Sequence, residues 1–501
     1  MRTASVERLL AMALVATVAV TIALSLVTAL LHPAPAALWA YVDGLEPYNF
    51  PTWAGAVVLL LAALACLAAG LAARAARRRD AVWWAAAAVG PTIASLCVAT
   101  GFHTRIDGLA RQVVGTNPLT TDWLPSAIAA GLLFAVPFVV VSRRLPHGRW
   151  LLAAVAAVGV GALVSELLVR ALGPGGRVPA ELAEGVQILG AVGLLLALVG
   201  AVTVVRDGTE LGILPAGASP DDLAGPRRGG LHASPDLRRR LLWALLLVPT
   251  VALSALSLLV TLAFPTPGPK LEQWIGYLNV DAEGNLPTWW AVGLLAIAAV
   301  AHLLAGLAGR ATGARAAVGW LVTAAILAGM SLDDMTSIHE RVGDMVKPEG
   351  AGGTDGSFSF YWVIPGAGVA LAIAVVVGAL ARQLRGRPRW LLVGGLGVLF
   401  FFALGLEGIE GAVIASQQGS RVVQVLAYHV EELGENVGAL LLIGAATSAL
   451  TVRRRAGALG VRYVGAGEPV EEDGPEPAPV DPAALPTEAI PVAATTPIAR
   501  G

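Results

Sequence analysis

Three short stretches hold most of the side chains able to do chemistry: SLDDMTSIHER (331–341), LGLEGIEG (404–411) and YHVEELGEN (428–436). Together they supply Asp333, Asp334, His339, Glu340, Glu407, Glu410, His429, Glu431, Glu432 and Glu435. Carboxylates crowded at low dielectric repel one another and cost several kcal/mol, about a pK unit per 1.4 kcal/mol, unless a cation or shared protons neutralise them. Several carboxylates and two imidazoles on packed helices are the donor inventory of a di-iron or di-manganese centre. Two histidines and one glutamate with an open water position would instead suit a single zinc. The expected metal ligands are Asp333, His339, Glu340, Glu407, Glu410, His429, Glu432 and Glu435. The order along the last stretch is His-x-x-Glu-x-x-Glu rather than Glu-x-x-His, so no standard metal motif is matched.

These groups sit at the ends of apolar runs. The chain has 501 residues, 56% hydrophobic and only 14% charged, against about 25% charged in soluble proteins. Long apolar runs recur along most of it, so the fold class expected is an all-α integral membrane protein. Twelve spans are expected near 9–31, 52–74, 82–101, 125–142, 150–171, 184–205, 241–263, 287–308, 316–334, 361–381, 390–409 and 428–450. Net charge is −1, which gives no reason to expect a nucleic-acid partner; membrane lipids are the expected surroundings. Cys66 and Cys97 both lie inside apolar runs, so no disulfide framework is indicated.

Arginine divides the loops. RAARRRD (74–80), SRRLPHGR (142–149), RQLRGRPR (382–389), VRRR (452–455) and the 206–240 linker fall on one side, which the positive-inside rule makes cytoplasmic, with both termini. The expected location is the bacterial cytoplasmic membrane. Arg315 to Asp333, Arg389 to Glu407 and Arg453 to Glu435 are each 18 residues apart. That is about 27 Å of helix, close to the far edge of a hydrocarbon core roughly 30 Å thick. Glu410 and Glu432 lie 21 residues from the same arginines, and His339 and His429 lie 24. One shared site on the outer boundary follows if the helices stay straight. Asp333, Ser337 and Glu340 share a helical face, whereas His339 joins them only if the helix unwinds. Gly405, Gly408 and Gly411 would let another helix approach Glu407 and Glu410.

The chain also repeats itself. NFPTW (49–53) matches NLPTW (285–289), and LAAGLAAR (67–74) matches LLAGLAGR (303–310), both at an offset of 236. RWLLAAV (149–155) matches RWLLVGG (389–395), and EGVQILGA (184–191) matches ELGENVGA (432–439). Two six-helix copies with the same orientation are expected: a first repeat over 1–205, a cytoplasmic linker over 206–240, a second repeat over 241–451 and a disordered tail over 452–501. Asp333 and Asp334 correspond to Cys97 and Val98, Glu435 to Gln187 and His429 to Glu181, while Glu432 keeps its carboxylate as Glu184. The asymmetry points to one site, in the second copy, with His103, Arg105, Asp107, Glu166, Glu181 and Glu184 as either its degenerate counterpart or a second polar patch. His302 reads as a helix-packing histidine, and the tryptophans of NFPTW and NLPTWW as interface anchors.

SLDDMTSIHER followed by HVEELGE resembles segments of uncharacterised bacterial multipass proteins in which S-x-D-[DE] precedes a His-Glu pair; that resemblance implies no activity. Twelve spans in two parallel sets of six are similar to the major facilitator transporters. AGLAARAARRR (69–79) and AGLAGRATGAR (305–315) occupy the loops of that family's G-x-L-A-D-R-x-G-R-R motif, with Ala73 and Gly309 in place of its Asp. Three functions are expected to compete. One is a metal-dependent enzyme acting on a lipid-linked, cell-envelope or small-molecule substrate through an iron, manganese or zinc centre. Another is a proton- or cation-coupled secondary transporter, and the third a structural or accessory membrane protein.

Overall fold

The computed structural model describes residues 49–103, 105–106, 124–172, 177–215, 218, 235–340, 342, 362–409, 420–455 and 457–465. The expected span 9–31, Glu410, most of the linker and the tail beyond 465 lie outside the described residues.

The described helices include one for each expected span from 52–74 onward and one more, the short Pro269–Leu278, while 202–205 at the end of the span 184–205 belong to a strand. In chain order these are α1 (Phe50–Ala75), α2 (Ala81–Thr100), α3 (Leu124–Ser142), α4 (Gly148–Leu172) and α5 (Arg177–Val199). After a strand pair come α6 (Pro235–Ala263), the short α7 (Pro269–Leu278), α8 (Leu286–Thr312), α9 (Ala317–Thr336), α10 (Val363–Gln383), α11 (Gly386–Phe400) and α12 (Arg421–Ser448). Eight of the described helices are long and apolar enough to cross a membrane. The protein is therefore an integral membrane protein, helical over most of its length.

The start of α1 shows why the sequence folds this way. Asn49 is extended, its side chain accepts from Thr52 N–H at 2.9 Å, and Pro51 occupies the first turn, where its missing N–H costs nothing. Asn285 repeats this at the start of α8, accepting from Thr288 N–H at 3.1 Å. Both asparagines are buried. Two of the tryptophans that follow, expected as interface anchors, also reach across to the other half. Trp53 Nε1 donates to Ser331 Oγ at 3.2 Å, and Trp289 Nε1 donates to Ser95 Oγ at 3.1 Å. Each serine donates in turn to a carbonyl of its own half, Ser95 to Ala56 and Ser331 to Val292. A buried cluster of Ala56, Ala99, Val292 and Met335 fills the space between these reciprocal bonds. Every residue in this seam has its counterpart 236 positions away. A polar indole N–H aimed into protein finds a partner there that hydrocarbon could not supply.

Elsewhere the helices approach through small residues. A Cβ on Gly438 of α12 would sit within 2.9 Å of Leu399 atoms, and one on Gly190 of α5 would sit within 2.9 Å of Ala157 and Val158.

The all-α expectation needs one correction. Residues assigned to the linker and tail form a four-stranded sheet instead. Strand β1 (Val202–Asp207) pairs with β2 (Glu210–Pro215), and β3 (Leu450–Arg455) pairs with β4 (Ala458–Tyr463). The two hairpins join through β2 and β4 in the order β1-β2-β4-β3. In that central pairing Gly212 faces Gly460, while Leu211 faces Val461 and Ile213 faces Leu459. Gly460 lets the Glu210 side chain lie across the sheet, where a Cβ would collide with its carboxyl. The sheet caps one face of the helix layer: Arg206 Nη2 donates to the Ala311 carbonyl at 2.6 Å, and Trp320 Nε1 donates to Tyr463 Oη at 3.1 Å. The candidate site lies at the opposite ends of the helices.

Candidate functional site

The site begins with a broken helix. α9 stops at Thr336, and Ser337 adopts a left-handed conformation, φ 47° and ψ 42°. A side chain there is uncommon and costs roughly 1–2 kcal/mol. The turn brings His339 back over the last turn of α9. Its backbone N–H donates to Asp333 Oδ1 at 3.0 Å, and its ring Nδ1 meets Asp333 Oδ2 at 3.0 Å. The unwinding needed for His339 to join Asp333 is thus present. Burial alone would lower the His339 pKa, but the hydrogen bond and charge of Asp333, with Glu407 and Glu340 adding to them, raise it from 6.5 to about 9. Nδ1 therefore carries a proton and donates it to Asp333 at neutral pH.

The His339 ring lies 4.5 Å from that of Trp362, which precedes α10. Trp362 Nε1 donates to Glu407 Oε1 at 2.6 Å. Glu407 follows a π-helical turn, Phe401–Leu406, that continues α11. One extra residue per turn rotates the helix end, and such turns cluster at functional sites. The turn also seats Phe402 against Gly434, where an added Cβ would collide with the ring. Gly405 and Gly408 do not make the close approach expected of them; on the neighbouring α12 the tight contacts belong to Gly434 and Gly438.

Behind this surface row lies a second group. Asp334, Glu432 and Glu435 are within electrostatic reach of one another, and Glu407 and Glu431 lie near the two glutamates. Asp334 Oδ2 is buried and has no hydrogen-bond partner. His339 is the base within reach of Asp334, and Asp333 already holds it. The N-cap loop of α8 completes the rim. Glu283 there is pushed up to about 7 from 4.5, by burial against the helix ends and then by Glu340, while His339 and Ser337 pull the other way. Asp281 is raised by the same two causes, burial and Glu340.

Of the eight expected metal ligands, Glu410 lies outside the described residues, and the other seven are distributed rather than gathered at one point. Asp333, His339 and Glu407 form the surface row, and Glu432 and Glu435 lie behind it. Glu340 is exposed beside the Asp281–Glu283 loop. His429 is occupied elsewhere. Its Nδ1 meets the Val425 carbonyl at 2.7 Å and its Nε2 meets Ser257 Oγ at 2.9 Å, tying α12 to α6. With Nδ1–H donating and Nε2 accepting, neither nitrogen keeps a lone pair for a metal. Among the described residues no three His, Cys, Asp or Glu side chains are placed to hold a metal ion.

Sequence reasoning missed Glu283 and Trp362 and undervalued Asp334. The acidic run just before NLPTW was the available signal for Glu283. His302 is the packing histidine expected: it is fully buried, with Nδ1 2.8 Å from the Ala298 carbonyl and its ring 5.1 Å from Trp320.

Residues 236–450 match a family described only as a domain of unknown function, DUF8692. The match takes in α6 to α12 and the whole candidate site. No curated protein and no solved structure matches the chain.

Proposed function

We propose that the carboxylate group of Asp334, Glu432 and Glu435 binds a cation, in the first instance a proton, and that the protein is a proton- or cation-coupled secondary transporter. The observation that carries this reading is the bare Oδ2 of Asp334, buried beside two glutamates with the nearest base already engaged. Three such carboxylates cannot all be ionised without a counter-charge, and ionisable groups at membrane depth are functional by default. The reciprocal Trp–Ser seam and the self-facing glycines of the sheet support two parallel six-span repeats within it. The arginine-rich sheet face supports a cytoplasmic side for the sheet in a bacterial plasma membrane.

A metal-dependent enzyme working on a lipid-linked or envelope substrate is the second reading. It is favoured by the same bare oxygen, which a divalent ion would also satisfy. Infrared difference spectroscopy of the purified protein, beside elemental analysis, separates the two. The transporter reading expects a protonated carboxyl band at neutral pH that is diminished in Asp334→Asn or Glu435→Gln. A spectrum of ionised carboxylates together with a near-stoichiometric transition metal would overturn it in favour of the enzyme. Ionised carboxylates without metal would end both readings and leave a structural role.

A further inference from the structure

A cavity of about 270 Å³ lies between the end of α6, the short α7 and the first two turns of α12. No part of the proposed cation site lines it. Thr261 is 9% exposed, and its hydroxyl is buried without a hydrogen-bond partner. That is unusual within this protein. Thr250, Thr323, Thr336 and Thr447 each donate to the carbonyl four residues back in their helices, as threonines in apolar surroundings do. Thr261 withholds that bond, and it is one of the residues lining the cavity.

Among the described residues that line it, the opening carries one charge of each sign. Arg421 is the first residue of α12, so its guanidinium and the helix N-terminus favour an anion at the same point. One of its nitrogens donates to the Pro265 carbonyl at 2.8 Å, leaving further donors for a ligand. Glu272, in the first turn of α7, is exposed on the other wall. Among the described residues neither side chain is held in an ion pair. Phe264 lines the opening and is 45% exposed, and Leu271 and Val422, the chain neighbours of Glu272 and Arg421, are exposed as well. At the end of a span such apolar side chains suit acyl chains.

We propose that this cavity holds the headgroup of a zwitterionic aminophospholipid, with the phosphate on Arg421, the primary ammonium on Glu272 and a headgroup or glycerol oxygen accepting from Thr261. The volume suits a headgroup rather than a drug-sized ligand, for which roughly 300–1,000 Å³ is usual. The acyl chains would then lie along the apolar rim. An anionic lipid lacks the cation for Glu272, and a quaternary ammonium lacks the N–H donors that a carboxylate accepts best.

The test is native mass spectrometry of the delipidated full chain titrated with phosphatidylethanolamine, phosphatidylglycerol or phosphatidylcholine. Phosphatidylethanolamine is expected to bind about tenfold more tightly than either of the others. Arg421→Gln should weaken all three lipids, whereas Glu272→Gln should bring phosphatidylethanolamine down to the level of phosphatidylglycerol alone. Thr261→Val should weaken binding by a smaller factor. Thermal unfolding of each variant establishes that it is folded. Equal binding of the three lipids by the wild type, or unchanged selectivity in a folded Glu272→Gln variant, overturns the proposal. So does free phosphoethanolamine binding as well as the lipid, which would make the ligand a soluble one.

Discussion

The ends of α2 and α9 are built to one plan and differ in what they carry. Both helices end on a left-handed residue, Gly101 at φ 61° and Ser337 at φ 47°. Both hold a serine six residues earlier that receives a tryptophan from the other half. Between serine and cap, α2 has Cys97 and Val98 where α9 has Asp333 and Asp334. The first half thus shows what the helix end needs in order to fold, and the second shows what has been added. Glycine accepts the left-handed turn without strain; serine holds it while its neighbours form a hydrogen-bonded carboxylate–imidazole pair. The second half thus carries backbone strain at a position where the first is relaxed.

This comparison is open to attack, and the largest effect comes first. Exchanging Glu432 and Glu435 together for glutamine is expected to remove more of the protonated carboxyl signal than Glu184→Gln does. Equal losses from both would erase the distinction between the halves. Next, Gly434→Ala is expected to cost about 1–3 kcal/mol in denaturant unfolding, since the new methyl drives into Phe402. Position 186, its counterpart in the first half, already carries valine, so Val186→Ala should do far less.

The caps come third. Ser337→Gly should stabilise the fold by about 1 kcal/mol and Gly101→Ser should destabilise it by a similar amount, both read as shifts in thermal midpoint. A null result at Ser337 would mean that its strain is already offset by Glu283. Fourth, Trp53→Phe and Trp289→Phe should each lose one hydrogen bond, about 0.5–1.5 kcal/mol. Unequal losses would show that the seam is not symmetric in energy.

The smallest expected effect is on pH dependence, because the groups concerned are partly open to solvent. His339 gains affinity for its proton on folding. Its contribution is whole below about pH 6.5 and is lost as pH rises through about 9. Glu283 also binds its proton more tightly when folded, so stability falls as pH rises from 4.5 to about 7. Both slopes have the same sign in adjoining windows. Asp333→Asn should flatten the upper one and Glu283→Gln the lower, in unfolding midpoints measured across pH. The first half has Cys97 and Pro47 at the positions matching Asp333 and Glu283, so neither of these two groups has a counterpart there.

Helix positions were legible in the sequence because hydrocarbon demands long unbroken apolar runs, and the asparagine–proline starts of α1 and α8 fix their ends locally. The acidic stretches were legible as a neighbourhood, since charge is conspicuous in such surroundings. What stayed hidden depended on rotation about helix axes. A π-helical turn after Phe400 and a left-handed Ser337 decide where Glu407 and His339 point, and neither leaves a periodic trace. His429 looked like a ligand because its bonding to Ser257, 172 residues away, is invisible in one dimension. The tryptophans of the repeat motif looked like interface anchors because an indole serves equally well at a lipid headgroup or a distant serine. The sheet escaped notice because its strands are short, arginine-rich and paired across more than two hundred residues.

That sheet has a consequence in time. During synthesis β2 leaves the ribosome 248 residues before β4, which at 5–20 residues per second is about 12–50 s. Throughout that interval the first hairpin presents an open edge, and open edges recruit whatever strand is at hand. Chains halted after Ser448 should accordingly cross-link through cysteines placed in β2, and completed chains should not. The second hairpin thus arrives late and closes the edge, so an unfinished molecule advertises itself by an unpaired strand until α12 is in place.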